Sequence, residues 1–409
     1  MPTFAFPTAE LPPEAYVLDY VRTPRGKASP RGALHHLTPA DLVERLLGAL
    51  AERNGLDPHL VDDVVLGVAS QVDEQGANLA RTAVLLAGWP RSVPGVTLNR
   101  FCASGIDAVS WASVALRSAS SSVMVAGGVE SVSRVPIFSD RGPMWGDAKV
   151  VSAVGSVHMG IAADLNATLS GFGRAELEEY ALLTHALAAA ARDGGAWQRA
   201  IVPIASPDGG EVARDELIRD GLTPEGLAAL PPAFADLPEQ DAIVAAAHPT
   251  VGPLHHVHTV GTSPQMADGA ALLLLADAAG AAAIGVAPRA RIVATAAVAV
   301  DPVIMLTAGQ RAVELVLQRA GLSADDIDVY EFAEAFAALC VRFGRDLGLE
   351  RDRLNPNGGT MATGHAFGAT GAIMVGGCVD ELHRRGGRYG VAAVSGAAGL
   401  GVAVLVERL

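Results

Sequence analysis

The stretch VTLNRFCASGIDAVSWASVALRSA, Val96 to Ala119, passes from a short strand through a Cys-Ala-Ser-Gly turn into a helix. A second stretch, RLNPNGGTMATGHAFGATGAIMVGGCVDELHRRG, Arg353 to Gly386, does the same through a longer glycine-rich approach. Each runs on into an apolar strand that meets glycines: SVMVAGGVES (Ser122 to Ser131) and YGVAAVSGAAGLGVAVLVERL (Tyr389 to Leu409). Each is also preceded by an amphipathic helix, an Asp-rich turn and a β-branched strand. These are VERLLGALAERNGLDPHLVDDVVLGVA (Val43 to Ala69) and AVELVLQRAGLSADDIDVYEFAEA (Ala312 to Ala335). The two helices stop at Asn-Gly and Ala-Gly. A unit repeated in this way predicts two α/β halves, each with helices packed on a mostly parallel sheet. Loops at equivalent ends of the halves then converge on one site.

Between the copies, from about Val132 to His258, the pattern breaks and Pro, Gly and Asp become frequent. One clear helix remains, RAELEEYALLTHALAAAARDGG (Arg174 to Gly195). This segment reads as an inserted, loop-rich excursion that covers a substrate. The most apolar run, Ala270 to Pro288, carries Asp277 and several small residues, so it predicts a buried strand and a short helix rather than a membrane span.

The 409 residues suggest about two to three domain-sized units, enough to bury a large core. Half the residues are apolar and 18% are charged, which excludes a disordered or fibrous chain. A net charge of −14 without a basic stripe argues against nucleic acid or an anionic membrane as partner. One anionic small molecule is still allowed, since it needs only local donors. The first 16 residues hold two acidic side chains and no Lys or Arg, unlike an export signal. Three cysteines without such a signal predict a reducing cytoplasm and no disulfide framework.

Cys102 lies between a strand and a helix expected to start near Ser104. A thiol there feels the positive end of the helix dipole, which favours thiolate and nucleophilic chemistry. A buried structural role is the alternative. Arg100 is close in sequence, with no direction implied. His365, in GHAFGATGA (Gly364 to Ala372), sits where small residues leave an imidazole accessible. It reads either as a general base or as a helix cap; its place opposite Cys102 in the repeat favours the base. SGAAGLG (Ser395 to Gly401) offers backbone N–H groups for an oxyanion, and its spacing is not the dinucleotide fingerprint. HPTVGPLHHVHT (His248 to Thr259) holds four histidines without nearby Cys or regular carboxylates, so it reads as loop or lid and no metal is assigned. Cys340 and Cys378 fall on apolar helical stretches and read as core.

Five blocks in order resemble the thiolases, which join or cleave acyl chains carried on coenzyme A. They are NRFCASGIDAV (Asn99 to Val109), GGVESVSRVP (Gly127 to Pro136), HMG (His158 to Gly160), SPQMADGAA (Ser263 to Ala271) and NPNGGTMATGHAFGATGA (Asn355 to Ala372). The resemblance implies an α/β thiolase-like fold of two βαβαβαββ halves in a five-layered αβαβα core with an inserted loop domain. Its expected divisions are 1–131 (completed by about 259–278), 132–258 and 279–409. It implies that Cys102 takes the acyl group, that His365 activates it, and that the main-chain N–H groups of Cys102 and Ala397 form an oxyanion hole. His158, Met159 and Ser263 would line the pantetheine arm. Coenzyme A and acyl-CoA would be substrates, with no permanently bound cofactor. A homodimer or dimer of dimers would be the assembly, with a further partner subunit also conceivable.

Three positions depart from that family. Ser395 stands where thiolases carry a second Cys that serves as acid/base, and a hydroxyl is a far weaker acid than a thiol. Ala333 stands before Glu-Ala-Phe, where the family has Asn or His as a donor. Ala366 replaces the usual Pro after the His. The expectation is therefore a thiolase-type acyltransferase of lipid metabolism whose acyl-Cys102 half-reaction is intact and whose carbon–carbon half is impaired or altered. The alternative is a non-catalytic thiolase-like subunit that binds CoA esters or builds a complex.

Overall fold

The computed structural model describes residues 13–409, so most of the N-terminal stretch read for an export signal lies outside the described residues. The first half contains β1 (Tyr16–Arg22), α1 (Pro39–Asn54), β2 (Asp63–Gly67), β3 (Val96–Leu98), α2 (Ser104–Arg117) and β4 (Val123–Ser131). Next come α3 (Met159–Ser170) and α4 (Arg174–Asp193), then β5 (Ala267–Ala276). The second half contains β6 (Ala290–Ala299), α5 (Ala308–Ala320), β7 (Val329–Phe332), α6 (Ala337–Leu347), α7 (Phe367–Arg385), β8 (Tyr389–Ser395) and β9 (Leu400–Arg408).

The repeat appears as local structure first. Helix α1 starts with a Thr38–Asp41 capping box and Pro39, and it stops at Gly55 in the left-handed conformation. Helix α5 stops at left-handed Gly321. The strands then line up as β7-β8-β9-β6-β1-β5-β4-β2-β3, with the two-residue strand Gly26–Lys27 beside β5. The halves are related as β3-β2-β4-β5-β1 and β7-β8-β9-β6, where the partner of β7 is reduced to a single bridge between Tyr330 and Leu354. The pairs Tyr16↔Arg291 and Val17↔Ala290 join the two sheets.

The expected mostly parallel sheet is corrected to a mixed one. β2 is parallel to β3 and β4, and β7 is parallel to β8, while β5, β1, β6 and β9 pair antiparallel with their neighbours. The short turn Gly396–Gly399 joins β8 to β9, and a parallel return needs a crossover of a dozen residues or more.

Five layers result. Leu272 and Leu274 of β5 face the outer helix α1, through Leu42, Leu46 and Leu50. Leu273 and Leu275 face the centre, where α2 and α7 lie between the two sheets. On the far side, Val313, Val316 and Leu317 of α5 cover Ala294, Val391 and Leu405. A strand buried on both faces needs side chains of one kind on both, which is why ALLLLA reads as a continuous apolar run. The run is a strand followed by a short helix (Ala278–Ile284), as expected. Ala148–Ser170 is long and apolar enough to cross a membrane by composition. Left-handed Gly155 breaks it, however, and its second part, α3, is largely buried in the molecule.

The central helices approach closely because glycines leave room. A Cβ at Gly128 of β4 would lie 2.0 Å from the Gly368 carbonyl oxygen, and one at Gly105 of α2 would lie 2.3 Å from it. Gly128→Ala is therefore expected to lower the unfolding free energy by about 1–3 kcal/mol or more. Gly48→Ala, at an exposed position of helix α1 with nothing near its Cβ, is expected to raise it by about 0.5–1 kcal/mol. Urea midpoints at unchanged slope would read both, and equal effects would refute the close-approach argument.

Candidate active site

The turn between β3 and α2 presents Cys102. Asn99 holds the turn by donating to the Ala69 carbonyl and accepting from the Phe101 N–H at 2.7 Å. Ser104 Oγ donates to the Phe101 carbonyl and accepts from the Arg100 N–H. Phe101, immediately before the sulfur, has φ +51°, a strained conformation for a bulky side chain. Arg100 points to Asp107, at 2.7 Å.

Cys102 is 3% exposed. The expected lowering of its pKa by the helix dipole is overturned. Burial, followed by the nearby Glu130 carboxylate, pushes the thiol up to about 12. The backbone N–H groups of Cys102 itself and of Ala397, from opposite halves of the molecule, oppose the rise. The Gly396 turn rides on the nucleophile turn: a Cβ there would lie 3.3 Å from the Arg100 carbonyl oxygen.

His365 is stitched to the start of β5, its N–H donating to Gln265 O and its carbonyl accepting from Ala267 N–H. It does not cap α7; the capping position is Ala366, and the imidazole Nδ1 lies 2.9 Å from Thr370 Oγ1. Nε2 is buried without a hydrogen-bond partner among the described residues. Burial, reinforced by the Arg25 charge, lowers the imidazole pKa to about 3, so the ring is neutral at pH 7. Cys102, Ala333 and Ala366 share one buried cluster, with Phe367 packed against it.

Two carboxylates that the sequence reading quoted in motifs without giving them a role hold this arrangement. Glu130 accepts from the N–H groups of Ala69, Ser70 and Gly368 and from Gln75 Nε2, so it ties the first half to the start of α7. Burial raises its pKa and those donors oppose the rise. A lone Glu in the glycine-bearing buried strand VMVAGGVES was the available signal. Glu334 likewise accepts from Tyr180, Thr184, Asn355 and the Met361 N–H.

The departures have a definite geometry. Ser395 Oγ donates to the Leu306 carbonyl at 2.7 Å and accepts from Gly309 N–H at 2.9 Å. Its proton is therefore committed to the Leu306 carbonyl. Ala333 is buried, and only its backbone N–H donates, to Ala393 O. His158 caps α3 through Nδ1, and its ring lies tilted against Phe234 at 5.3 Å between centroids. Met159 packs against the central and second-half cores. Ser263 donates to the Thr259 carbonyl within its own turn. In the histidine run, His258 bonds Asp164, and His256 bridges Asp164 and Asp241. Cys340 and Cys378 are buried on α6 and α7.

With thiol and imidazole both neutral, alkylation of Cys102 by iodoacetamide is expected to accelerate about tenfold per pH unit from 7 to 10. A plateau reached near pH 7 would mean a preformed thiolate–imidazolium pair instead.

Comparison with known proteins gives one answer. Residues 15–279 match the model of the thiolase N-terminal domain and residues 286–408 that of the thiolase C-terminal domain. The 3-oxoadipyl-CoA/3-oxo-5,6-dehydrosuberyl-CoA thiolase of Escherichia coli K12 is 36% identical, over 97% of this chain and 100% of its own. A 3-ketoacyl-CoA thiolase of Klebsiella pneumoniae is 35% identical over the same shares. The solved Bacillus anthracis acetyl-CoA acetyltransferase superposes with a TM-score of 0.85 at 32% identity, covering 98% of this chain and 100% of that one.

Proposed function

The chain belongs to the thiolase family, and on that premise we propose that it transfers acyl groups from acyl-CoA through an acyl-Cys102 intermediate to an acceptor other than a carbon acid. Thiolase-type acyltransfer is common to its relatives. The observation that carries the reading is a buried Cys102 whose pKa rise is opposed by the Ala397 N–H from the other half, together with a His365 imidazole whose Nε2 is buried without a partner among the described residues.

In the proposed first step the Cys102 proton passes to His365 Nε2 while the sulfur attacks the thioester carbonyl. In the tautomer that serves, Nδ1–H donates to Thr370. The N–H groups of Cys102 and Ala397 receive the developing oxyanion, and the imidazolium returns the proton to the departing CoA sulfur. His158, Met159 and Ser263 would flank the pantetheine arm, and the segment 132–258 would cover it. The second step in most thiolases removes a proton from carbon. Here Ser395 has its proton engaged and Ala333 offers no side-chain donor, which favours water, a thiol or another heteroatom as acceptor. Losing one oxyanion donor costs about 10²–10³-fold.

A dimer or dimer of dimers belongs to the same reading. β3 is an edge strand; Val96 on it, Leu85 and Leu86 on the helix packed against it, and Trp111 and Val114 on α2 are exposed. A cytoplasmic location is supported by three free cysteines. The second reading, a non-catalytic subunit that binds CoA esters, is favoured by the committed Ser395 hydroxyl. Incubation with acyl-CoAs of several chain lengths, read by intact mass and CoA release, separates the two. An adduct that Cys102→Ser abolishes supports the enzyme, and its absence with every acyl chain supports the binding subunit.

A further inference from the structure

Behind the loop that carries His365 lies a cavity between β1, β7, the Asn355–Thr363 segment and α7, offering about 40 Å³ to the centres of water-sized occupants. That is room for only a few water-sized bodies, at about 10–15 Å³ each. Three buried residues of its lining hold polar atoms with no hydrogen-bond partner among the described residues: Tyr20 Oη, Arg25 Nε and Thr360 Oγ1. All three carry a proton to donate.

The charges around the cavity leave it positive. Arg22 is matched by a bidentate pair with Asp215, which also accepts the Arg25 N–H. Asp380 is held by Arg289 and Arg199. The Arg25 guanidinium bonds only Thr363 Oγ1 and the Gly364 carbonyl, with no carboxylate partner of its own among the described residues. Two guanidinium groups thus share one carboxylate. Burial and the neighbouring Glu381 push Glu331 up to about 8, so at pH 7 it is largely a neutral donor too. Asn355 and Asn357 spend their amide groups elsewhere.

We propose that this cavity is a binding site for one small monovalent anion, chloride or a short monocarboxylate, held by Arg25 Nε, Tyr20 Oη and Thr360 Oγ1. The apolar remainder of the wall, including Trp197 and Met374, suits an ion of low charge density rather than a phosphate. The site lies outside the acyl-transfer centre and does not depend on the function proposed above. Occupancy matters to that centre because Arg25 grips the chain just before His365 and its charge disfavours protonation of the imidazole. A bound anion would offset that charge.

Crystals grown in sodium gluconate and soaked in sodium bromide test the site directly. An anomalous peak within hydrogen-bond distance of Tyr20 Oη, Arg25 Nε and Thr360 Oγ1 is expected. Acetate that displaces the peak identifies a carboxylate site, and acetate without effect a halide site. In solution, replacing gluconate by chloride or acetate at constant ionic strength should raise the melting temperature with the logarithm of anion concentration. The near-isosteric double variant Tyr20→Phe, Thr360→Val should need at least tenfold more anion for the same rise. Water alone in the cavity, a peak only at molar bromide, or an equal rise in the double variant would each overturn the proposal. Should that variant not fold, the bromide soak of the unaltered protein decides.

Discussion

His365→Ala is expected to slow acylation of Cys102 by acyl-CoA about 10²–10⁴-fold. With the thiol at about 12, the thiolate fraction at pH 7 is only about 10⁻⁵, so attack on a thioester must be accompanied by proton removal. His365 Nε2 is the buried, unpartnered acceptor for that proton. The imidazole sits near 3, so proton transfer before attack is strongly uphill. It becomes favourable only as carbon–sulfur bond formation moves negative charge onto the carbonyl oxygen, where the Cys102 and Ala397 N–H groups wait. Rapid-quench intact-mass measurements with one acyl-CoA would read the rate. A rate within threefold of the unaltered protein would remove His365 from the mechanism. Unchanged urea unfolding of the variant would separate a lost base from a lost fold.

Ala333→Asn combined with Ser395→Cys is expected to raise thiolysis of 3-ketoacyl-CoA by about 10²-fold or more. The amide supplies a donor at the second oxyanion position, an effect of about 10²–10³-fold. The thiol supplies an acid/base group, worth about 10²–10⁴-fold. The two act on one centre, so their effects are not simply additive. The serine hydroxyl is held by Leu306 O and Gly309 N–H, and a Cβ at Gly309 would already lie 2.6 Å from it. A larger, more weakly hydrogen-bonding sulfur is less firmly held in that position and brings a far more acidic proton. Consumption of 3-ketoacyl-CoA with free CoA, followed for each single variant and the pair, tests this. Lower activity on every acyl-CoA would mean that the site is tuned to Ala333 and Ser395 as they stand.

Much of the fold, and the turns that carry Cys102 and His365, were legible in the residues because their signals are local. Asn54-Gly55 and Ala320-Gly321 end helices through a left-handed backbone, which any chain segment encodes in its own glycine. The repeat then puts Cys102 and His365 at matching strand-to-helix turns, and the apolar runs in β5, β8 and β9 mark strands buried on both faces. The antiparallel centre of the sheet was not legible, since strand direction depends on which partners a strand meets across more than a hundred residues. Nor was the part played by Glu130, whose donors come from two distant stretches, residues 69–75 and Gly368, and gather only in the folded molecule.

The sequence by itself determined the two-fold repeat, the family, and the matching places of one cysteine and one histidine within the repeat, because helix stops, apolar periodicity and motif spacing are properties of short stretches. The tertiary structure alone decided that Cys102 and His365 rest neutral, that Arg100 turns to Asp107, and that the Ser395 proton is engaged. Protonation and side-chain direction follow from desolvation and from charges brought in by distant segments, and those exist only once the chain has closed around them.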